Sequence, residues 1–274
     1  MHQARVFAFV LSMALASGAG ADVRHETVEK ATPLARNLFD AVSLDQFEKA
    51  TFTSSRGTSL PYRVLRPSRP QPGKTYPLVI QLHGSGGIGS DNAGQLERLA
   101  KAWAMPELRE RYQAFILVPQ FADRSASYGS AAPDQHAEAA PALSDALELI
   151  HAFAAQAPVD RSRIYATGFS MGGSAAWLLP CLAPELFAGI VPISGIAPPD
   201  DQAPKFTHLP VLAMHGNADP ENPITADRRF IRALAEQDAQ HVSWREYAGL
   251  DHQPPADIYP GLWWRDWLFA QRRH

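Results

Sequence analysis

The sequence has little cysteine, no strong excess of either charge and no apolar run long enough to cross a bilayer. Its one cysteine, Cys181, cannot form an internal disulfide or supply the paired thiolates of a structural zinc site. Lysine plus arginine number 25 and aspartate plus glutamate 28, so the net charge of −3 offers no basic surface to nucleic acid. We therefore expect no nucleic-acid partner, and we expect stability to come from an apolar core.

The N-terminus has the pattern of a secretory signal peptide. A short basic start over residues 1–5 precedes an apolar run over residues 6–16, which is shorter than the roughly 20 residues that span a bilayer. Ala19-Gly20-Ala21 then places small residues before a cleavage site. We predict a signal peptide over residues 1–21, a single mature domain over residues 22–274, and a secreted or periplasmic protein without membrane insertion of the mature chain. The alternative is a buried N-terminal helix.

Short apolar runs alternate with helical patterns along the rest of the chain. Arg56-Gly57 separates two strand-like segments, 51–54 and 60–66, as in an antiparallel hairpin. Further runs bounded by glycine, proline or polar residues are typical of buried strands, at 78–82, 115–118, 164–167, 189–193, 211–214 and 242–247. Apolar residues recur at helical spacing over 95–103, 142–155, 171–179, 226–237 and 263–272. This order predicts an α/β fold with a mainly parallel central sheet, an N-terminal antiparallel hairpin and helices on both faces.

One segment, residues 121–141, interrupts the alternation. It is rich in alanine, serine and proline, and connections longer than about 15 residues are usually functional or disordered. It leaves a predicted strand at the carboxyl edge of the sheet, where ligands bind in open α/β folds. We interpret it as a substrate-facing loop or partial lid, with a solvated insertion of no role as the alternative.

The strongest local motif is Gly168-Phe169-Ser170-Met171-Gly172. It follows a predicted strand and precedes a predicted helix, which is the context in which G-x-S-x-G presents a nucleophilic serine. Glycines on both sides allow the close packing that such a strained turn requires. We therefore predict Ser170 as a nucleophile; the alternative is a serine that only caps the helix.

A serine nucleophile needs an imidazole to accept its proton and a carboxylate to orient that imidazole. In this kind of fold the order along the chain is serine, acid, histidine. Asp219 lies in the loop just past the predicted strand at 211–214, and we predict it as the orienting acid. Glu221, Asp200 and Asp201 remain rivals.

The predicted base is His252, which lies between the last predicted strand and the terminal helix. His83 and His215 also end predicted strands. Each is followed directly by glycine, and a His-Gly pair at a strand end more often shapes a turn than catalyses. We interpret both as structural.

Acyl transfer also requires hydrogen-bond donors for the developing oxyanion. The helix start supplies the backbone N–H of Met171. The glycine-rich loop at 83–92 supplies a second donor, which we predict to be the N–H of Ser85. The loop is neither a G-x-G-x-x-G with an acidic residue after the next strand nor a Walker motif with its lysine, so nucleotide binding is poorly supported.

These pieces, in this order, resemble the α/β-hydrolase superfamily. Their amino-acid sequences resemble those of secreted carboxylesterases, a branch that includes predicted peptidases and polyhydroxybutyrate-depolymerase-like and feruloyl-type esterases. The similarity runs from about residue 60 to the C-terminus and is carried by residues 76–86, 90–92, 160–173, 191–195 and 215–219. The resemblance implies Ser170 as nucleophile, Asp219 and His252 as its partners, no metal and no organic cofactor.

Two positions depart from the pattern of that branch. Gly87 and Ile88 stand where relatives often carry a charged pair in the oxyanion loop, which implies a less polar rim. Gln253-Pro254-Pro255 follows His252 where relatives often carry a tryptophan. The substrate of a relative therefore does not transfer directly to this chain.

The sequence thus favours a cofactor-free serine esterase acting on a small-molecule or polymer ester. A serine peptidase of the prolyl-oligopeptidase kind would share the triad, and a non-catalytic exported binding protein could retain the fold. Phe121, Tyr128 and Trp177 are candidate pocket-wall residues, with packing in the core as the alternative for each.

Overall fold

A computed structural model describes residues 23–39, 41–129 and 135–273. The predicted signal peptide lies outside the described residues, as do residues 130–134 of the predicted loop. The strands are β1 (Arg24–Glu29), β2 (Glu48–Thr53), β3 (Ser59–Leu65), β4 (Tyr76–Leu82), β5 (Phe115–Pro119), β6 (Ala126–Tyr128), β7 (Ala137–Ala139), β8 (Val159–Phe169), β9 (Gly189–Ile193), β10 (Val211–Gly216) and β11 (Val242–Ala248). The helices are α1 (Arg98–Ala102), α2 (Pro106–Arg111), α3 (Pro141–Gln156), α4 (Met171–Leu182), α5 (Ile224–Glu236) and α6 (Leu262–Ala270).

Nine of these strands form one sheet, in the order β1-β11-β10-β9-β8-β4-β5-β3-β2. Neighbours from β1 to β5 in this order pair in parallel. β3 is antiparallel to both β5 and β2, and β2 and β3 form the predicted hairpin. The predicted fold class, a mainly parallel sheet of the α/β-hydrolase type with an N-terminal hairpin, is confirmed.

The central strands are buried on both faces because helices cover both sides of the sheet. Every residue of β4 is buried, which explains why it reads as a continuous apolar run rather than an alternating one. Leu78 and Ile80 point into one core and Val79 into the other, as the two-residue period of a strand requires.

The helices divide between the two cores. Buried residues of α3, α4 and α5 form one core, in which Trp177 packs edge-on against Phe206 and Phe230. Those of α1, α2 and α6 form the other, where the rings of Trp103 and Trp264 are 5.5 Å apart. None of the described helices combines the length and the apolar character needed to span a bilayer.

Strand β1 lies in a segment that the sequence pattern marked only as a polar lead. It pairs in parallel with β11, with Arg24 opposite Ser243 and Glu29 opposite Ala248. It occupies the edge of the sheet and most of its residues are exposed. Backbone hydrogen bonds to one neighbour define such a strand, so its side chains carry little hydrophobic signal.

The described parts of the segment at 121–141 contain two strands that the sequence did not predict. Strands β6 and β7 pair as a small antiparallel ribbon that contacts α4. Ala126 and Ala137 are buried in the core, and Arg229 on α5 donates to the carbonyl of Gln135 at 2.8 Å. Three-residue strands are too short for a periodic pattern to indicate them.

Candidate active site

The candidate site lies at the carboxyl edge of the parallel sheet. Ser170 follows β8, Asp219 lies in the loop after β10, and His252 lies in the loop after β11. Parallel strands bring their carboxyl ends to the same edge, so three residues that are far apart in sequence can meet there.

Ser170 occupies the sharp turn between β8 and α4. Its backbone has φ 58° and ψ −121°, a strained conformation for a residue with a side chain. Its N–H donates to the carbonyl of Ile193 at 3.0 Å. A Cβ on Gly168 would lie 2.6 Å from the carbonyl oxygen of Leu82, and one on Gly172 only 2.3 Å from it. The two glycines of the motif are therefore required by close backbone packing around the serine.

A hydrogen-bonded chain joins the three side chains. His252 Nδ1 is 2.7 Å from Asp219 Oδ2, and His252 Nε2 is 2.8 Å from Ser170 Oγ. An ionised carboxylate only accepts hydrogen bonds, so Nδ1 carries the ring proton and Nε2 accepts from the serine hydroxyl. This is the geometry in which an imidazole can remove a proton from a nucleophile.

Asp219 is held from several directions, and its side chain is fully buried. Its Oδ1 accepts from the backbone N–H groups of Glu221 and Asn222, both at 2.9 Å. Burial opposes ionisation of this carboxyl, but hydrogen bonds from His215, His252 and Asn222 outweigh it and hold its pKa well below the usual range. The acid is therefore ionised at neutral pH and can support a charged imidazole.

The loops that carry Asp219 and His252 are hydrogen-bonded to each other. The N–H of Ala218 donates to the carbonyl of Leu250, and that of Asn217 donates to the carbonyl of Tyr247, both at 3.0 Å. The His252 side chain is 9% exposed, enough to face solvent from a largely enclosed position. The spacing between acid and base is thus set by backbone contacts rather than by the side chains alone.

The rival carboxylates lie elsewhere. Asp200 pairs with Arg229 at 2.7 Å, and Asp201 accepts from the side chain of Gln202. Glu221 is 70% exposed, and its Oε2 is 3.7 Å from His252 Nε2, on the serine side of the ring. Asp219 is the carboxylate that contacts Nδ1.

The two predicted oxyanion donors lie at the starts of helical segments. Met171 opens α4, and Ser85 opens a 3-10 turn, Ser85–Gly87, where backbone N–H groups lack intrahelical acceptors. The Cβ position of Gly172 would lie 2.9 Å from the carbonyl oxygen of His83, so the loop presses directly on the helix start. Glu97 accepts from the N–H of Gly84 at 3.0 Å and braces the loop from behind.

The three candidate pocket-wall residues have different environments. Phe121 is buried and its ring lies 5.2 Å from that of His83. Tyr128 is partly exposed, and its hydroxyl is 3.3 Å from the Oγ of Ser174, one helical turn beyond Ser170. Phe121 and Trp177 are both 0% exposed, and Trp177 donates to Asp227 inside the core, so for these two residues the structure favours the alternative of core packing over a pocket-wall role.

Sequence reasoning missed the contacts of His215. This residue lies beneath Asp219, with Nε2 3.4 Å from Asp219 Oδ2 and Nδ1 2.8 Å from Oδ2 of Asp227 on α5. The contact with Asp219 crosses a strand end and a loop, where a spacing of four residues does not predict that two side chains meet. The partner on α5 comes from a separate segment, and no local pattern indicates it.

The chain matches the phospholipase/carboxylesterase family over residues 120–258, a range that includes Ser170, Asp219 and His252. It is 30% identical over 216 residues to "Putative esterase NocK" of Nocardia uniformis subsp. tsuyamanensis, covering 72% of this chain and 54% of the relative. It is 28% identical over 144 residues to a poly(3-hydroxybutyrate) depolymerase of Ralstonia pickettii, covering 48% of this chain and 28% of that one.

Among solved structures, a thermostable esterase superimposes with a TM-score of 0.76 at 30% identity, covering 84% of this chain and 64% of the esterase. The aligned part of this chain spans about half the length of NocK and under a third of the length of the depolymerase. The hydrogen-bonded serine, histidine and aspartate lie within the range that the family model matches.

Proposed function

This chain belongs to the phospholipase/carboxylesterase family of α/β-hydrolases, and we propose that it hydrolyses carboxylic esters through an acyl-enzyme on Ser170. The observation that carries the proposal is the continuous hydrogen-bonded chain from Asp219 through His252 to the serine hydroxyl. The strained backbone of Ser170, which a merely structural serine would not need, supports it further.

In the first half of the reaction, Ser170 Oγ attacks the ester carbonyl carbon while His252 Nε2 accepts the hydroxyl proton. The carbonyl oxygen becomes an oxyanion, and the N–H groups of Met171 and Ser85 are the donors we assign to it. His252 then gives its proton to the leaving alcohol as the C–O bond breaks. Asp219 stabilises the imidazolium throughout.

In the second half, water replaces the alcohol. His252 accepts a proton from the water, the oxygen attacks the acyl carbon, and the proton returns to Ser170 Oγ as the carboxylic acid leaves. Neither half requires a metal or an organic cofactor, because the serine, imidazole and backbone donors supply the nucleophile, the base and the oxyanion stabilisation.

The test is hydrolysis of p-nitrophenyl acetate by the purified chain and its Ser170→Ala variant. We expect the variant to lose at least about 10⁴-fold in kcat, because Ser170 supplies the hydroxyl on His252 Nε2 and no other described residue does. Ser68→Ala is the matched control: Ser68 is exposed and follows β3, whose end lies at the edge of the sheet opposite the site. Equal rates in Ser170→Ala and the parent would overturn the proposal.

A covalent probe distinguishes hydrolysis by this chain from hydrolysis by a contaminating enzyme in the preparation. An organophosphonate should label the parent chain once, at Ser170, and should not label the Ser170→Ala variant. Labelling should also slow in His252→Gln, because the serine then lacks a base. Labelling at another serine would contradict the assignment.

The substrate class is tested with a panel of esters and peptides. We propose small-molecule or polymer esters as substrates, with peptides as the alternative. Peptides are harder to cleave, because the amide nitrogen must be protonated before it can leave. Acetate, butyrate, octanoate and feruloyl esters, short 3-hydroxybutyrate oligomers and a peptide set would be compared by kcat/KM. Faster cleavage of peptides than of every ester would favour the alternative.

Export is a separate proposal that rests on the N-terminal pattern alone. The basic start, the apolar run and Ala19-Gly20-Ala21 predict cleavage before Asp22. N-terminal sequencing of the protein recovered from the periplasm or medium of an expressing cell should begin at Asp22. Recovery of the uncleaved chain from the cytosol would contradict it.

A further inference from the structure

His215 is a buried histidine next to the catalytic acid. It lies near the end of β10, and its ring is 0% exposed. Nδ1 is 2.8 Å from Asp227 Oδ2, while Nε2 is 2.9 Å from the carbonyl oxygen of Asn222 and 3.4 Å from Asp219 Oδ2. The edge of the Trp244 ring covers another side, with ring centroids 6.4 Å apart.

These contacts determine the charge of the ring. Every polar atom that faces it is an oxygen of a carboxylate or a carbonyl, so both ring nitrogens must donate. A neutral imidazole would leave one nitrogen lone pair facing an oxygen in a site without water access. Burial lowers the pKa of His215, but the hydrogen bonds to Asp219 and Asp227 outweigh it and raise that pKa to about 9. The ring is therefore an imidazolium at neutral pH.

Asp227 is the counter-ion that keeps this cation in place. Its side chain is fully buried, and its second oxygen accepts from Trp177 Nε1 at 3.1 Å. Asp227 lies on α5 and Trp177 on α4, so helices packed on the sheet fix the imidazolium from behind. Asp219 is on the opposite side of the ring and faces the active site.

Two buried carboxylates therefore share one buried cation. In a low-dielectric interior, Asp219 and Asp227 without His215 would repel each other, and one of them would take up a proton. A protonated Asp219 could no longer stabilise a charged His252. The cation between them removes that conflict and leaves one net negative charge to support the base.

We propose that His215 is a positioning residue which, as a buried imidazolium held by Asp227, keeps the Asp219 carboxylate ionised and aimed at His252. Its effect on turnover rests on the proposed esterase function, whereas its effect on the titration of His252 does not. The chain of polar contacts from Ser170 through His252 and Asp219 thus extends into the core through His215 and Asp227.

The charges around His252 set the direction of the expected effects. Asp219 faces Nδ1, Glu221 lies near Nε2 from the solvent side, and the Phe169 ring packs against the imidazole with centroids 4.9 Å apart. His215 and His252 contact the same oxygen of Asp219. Without the positive charge of His215, Asp219 should take up a proton, so His252 should lose its own proton at lower pH. Without the negative charge of Asp227, the His215 cation is less compensated, and His252 should again lose its proton at lower pH.

The experiment follows the titration of His252 by NMR in ¹⁵N-histidine-labelled protein, with its signal assigned by its loss in His252→Gln. In His215→Gln we expect the midpoint to fall by about one pH unit, because Asp219 is then protonated, and in Asp227→Asn we expect it to fall as well. In the double variant it should return close to the parent, because Asp219 is then the single carboxylate at this site and stays ionised. The acid limb of kcat/KM should move in the same directions. In His215→Gln, kcat should fall about ten-fold or more with little change in KM.

His83→Gln is the matched control, because His83 is also buried and also follows a strand, but its ring nitrogens contact backbone groups and no carboxylate. It should leave the His252 midpoint unchanged. The proposal is overturned by a rise, or by a fall of under about 0.2 pH unit, in His215→Gln, or by a double variant whose midpoint stays as low as that of His215→Gln. If His215→Gln does not fold, the Asp227→Asn shift alone decides. Correct NMR shifts in a protein without esterase activity would overturn the proposed function and support the placement of the charge.

Discussion

Two histidine-glycine pairs border the candidate site, and they are built in opposite ways. His83 follows β4 on the oxyanion side; its Nε2 accepts from the N–H of Phe121 at 3.0 Å and its Nδ1 is 2.7 Å from the carbonyl oxygen of Gly84. His215 at the end of β10 on the acid side faces two carboxylates. Burial lowers the pKa of His83, whereas the carboxylates raise that of His215.

The difference shows how each side of the serine is organised. The oxyanion side consists of backbone groups held by close packing and by a neutral ring, which suits a site that must present fixed N–H donors. The acid side consists of buried groups of alternating charge, the carboxylates of Asp227 and Asp219 with the imidazolium of His215 between them. This arrangement suits a site that must stabilise a charged base. The same dipeptide serves both, because the segments packed around it supply different partners.

The largest expected effect on kcat comes from removing the negative charge of Asp219. Asp219→Asn should lower kcat for an ester substrate by about 10⁴-fold, because an amide favours the wrong tautomer of His252. The measurement is the initial rate at saturating substrate, with the exposed Asp201→Asn as control. A loss under ten-fold would mean that Asp219 does not orient the base.

The next effect tests the oxyanion side through packing alone. The Cβ of Gly172→Ala would lie 2.3 Å from the oxygen of Leu82 and 2.9 Å from that of His83, so the loop must shift away from the helix start. We expect kcat to fall about 10²- to 10³-fold, as when an oxyanion donor is lost. In Gly84→Ala the Cβ would lie 3.5 Å from Glu97, and we expect a smaller loss. Equal losses would argue against a packing effect.

The stability of the two histidine variants should depend on pH in opposite senses. The pKa of His215 is about 9 in the folded protein against about 6.5 when unfolded. Its protonation therefore stabilises the fold fully below about pH 6.5, and that contribution is lost as pH rises through 9. The difference in unfolding free energy between the parent and His215→Gln should become smaller by about 3 kcal/mol across this range.

For His83 the sign is reversed. Its folded pKa is lowered by burial, so the unfolded chain takes up a proton first as pH falls through about 6.5, and the fold loses stability there. The gap between the parent and His83→Gln should narrow below that pH. Urea unfolding at about pH 5.5, 7.5 and 9.5 measures both gaps. Parallel pH dependence in the two variants would contradict the assigned charge states.

The smallest effect compares an exposed charge with the buried ones. Glu221 is 70% exposed and 3.7 Å from His252 Nε2, but solvent screens such a group strongly. Glu221→Gln should move the acid limb of kcat/KM to lower pH by under about 0.3 unit. A shift as large as that of His215→Gln would show that burial does not distinguish these charges.

Local patterns predicted much of this molecule. The parallel strands read as apolar runs because both faces are covered, and the predicted fold is confirmed. Ser170, Asp219 and His252 were each chosen from a position at a strand end, and the structure joins them by hydrogen bonds. Their catalytic roles remain predictions. Trp177 was misassigned, because an apolar position on a helix beside the nucleophile does not reveal which way it faces.

The sequence by itself determined the order of strands and helices, the strained serine turn and the edge of the sheet where the loops gather, since each depends on residues close together in the chain. Only the tertiary structure decided that β1 joins the sheet, that Trp177 and Asp227 are buried together, and that His215 carries a charge between two carboxylates. The physical reason is that burial and protonation depend on which distant groups face a residue. Those neighbours are set by the packing of α4, α5 and β10, not by local sequence.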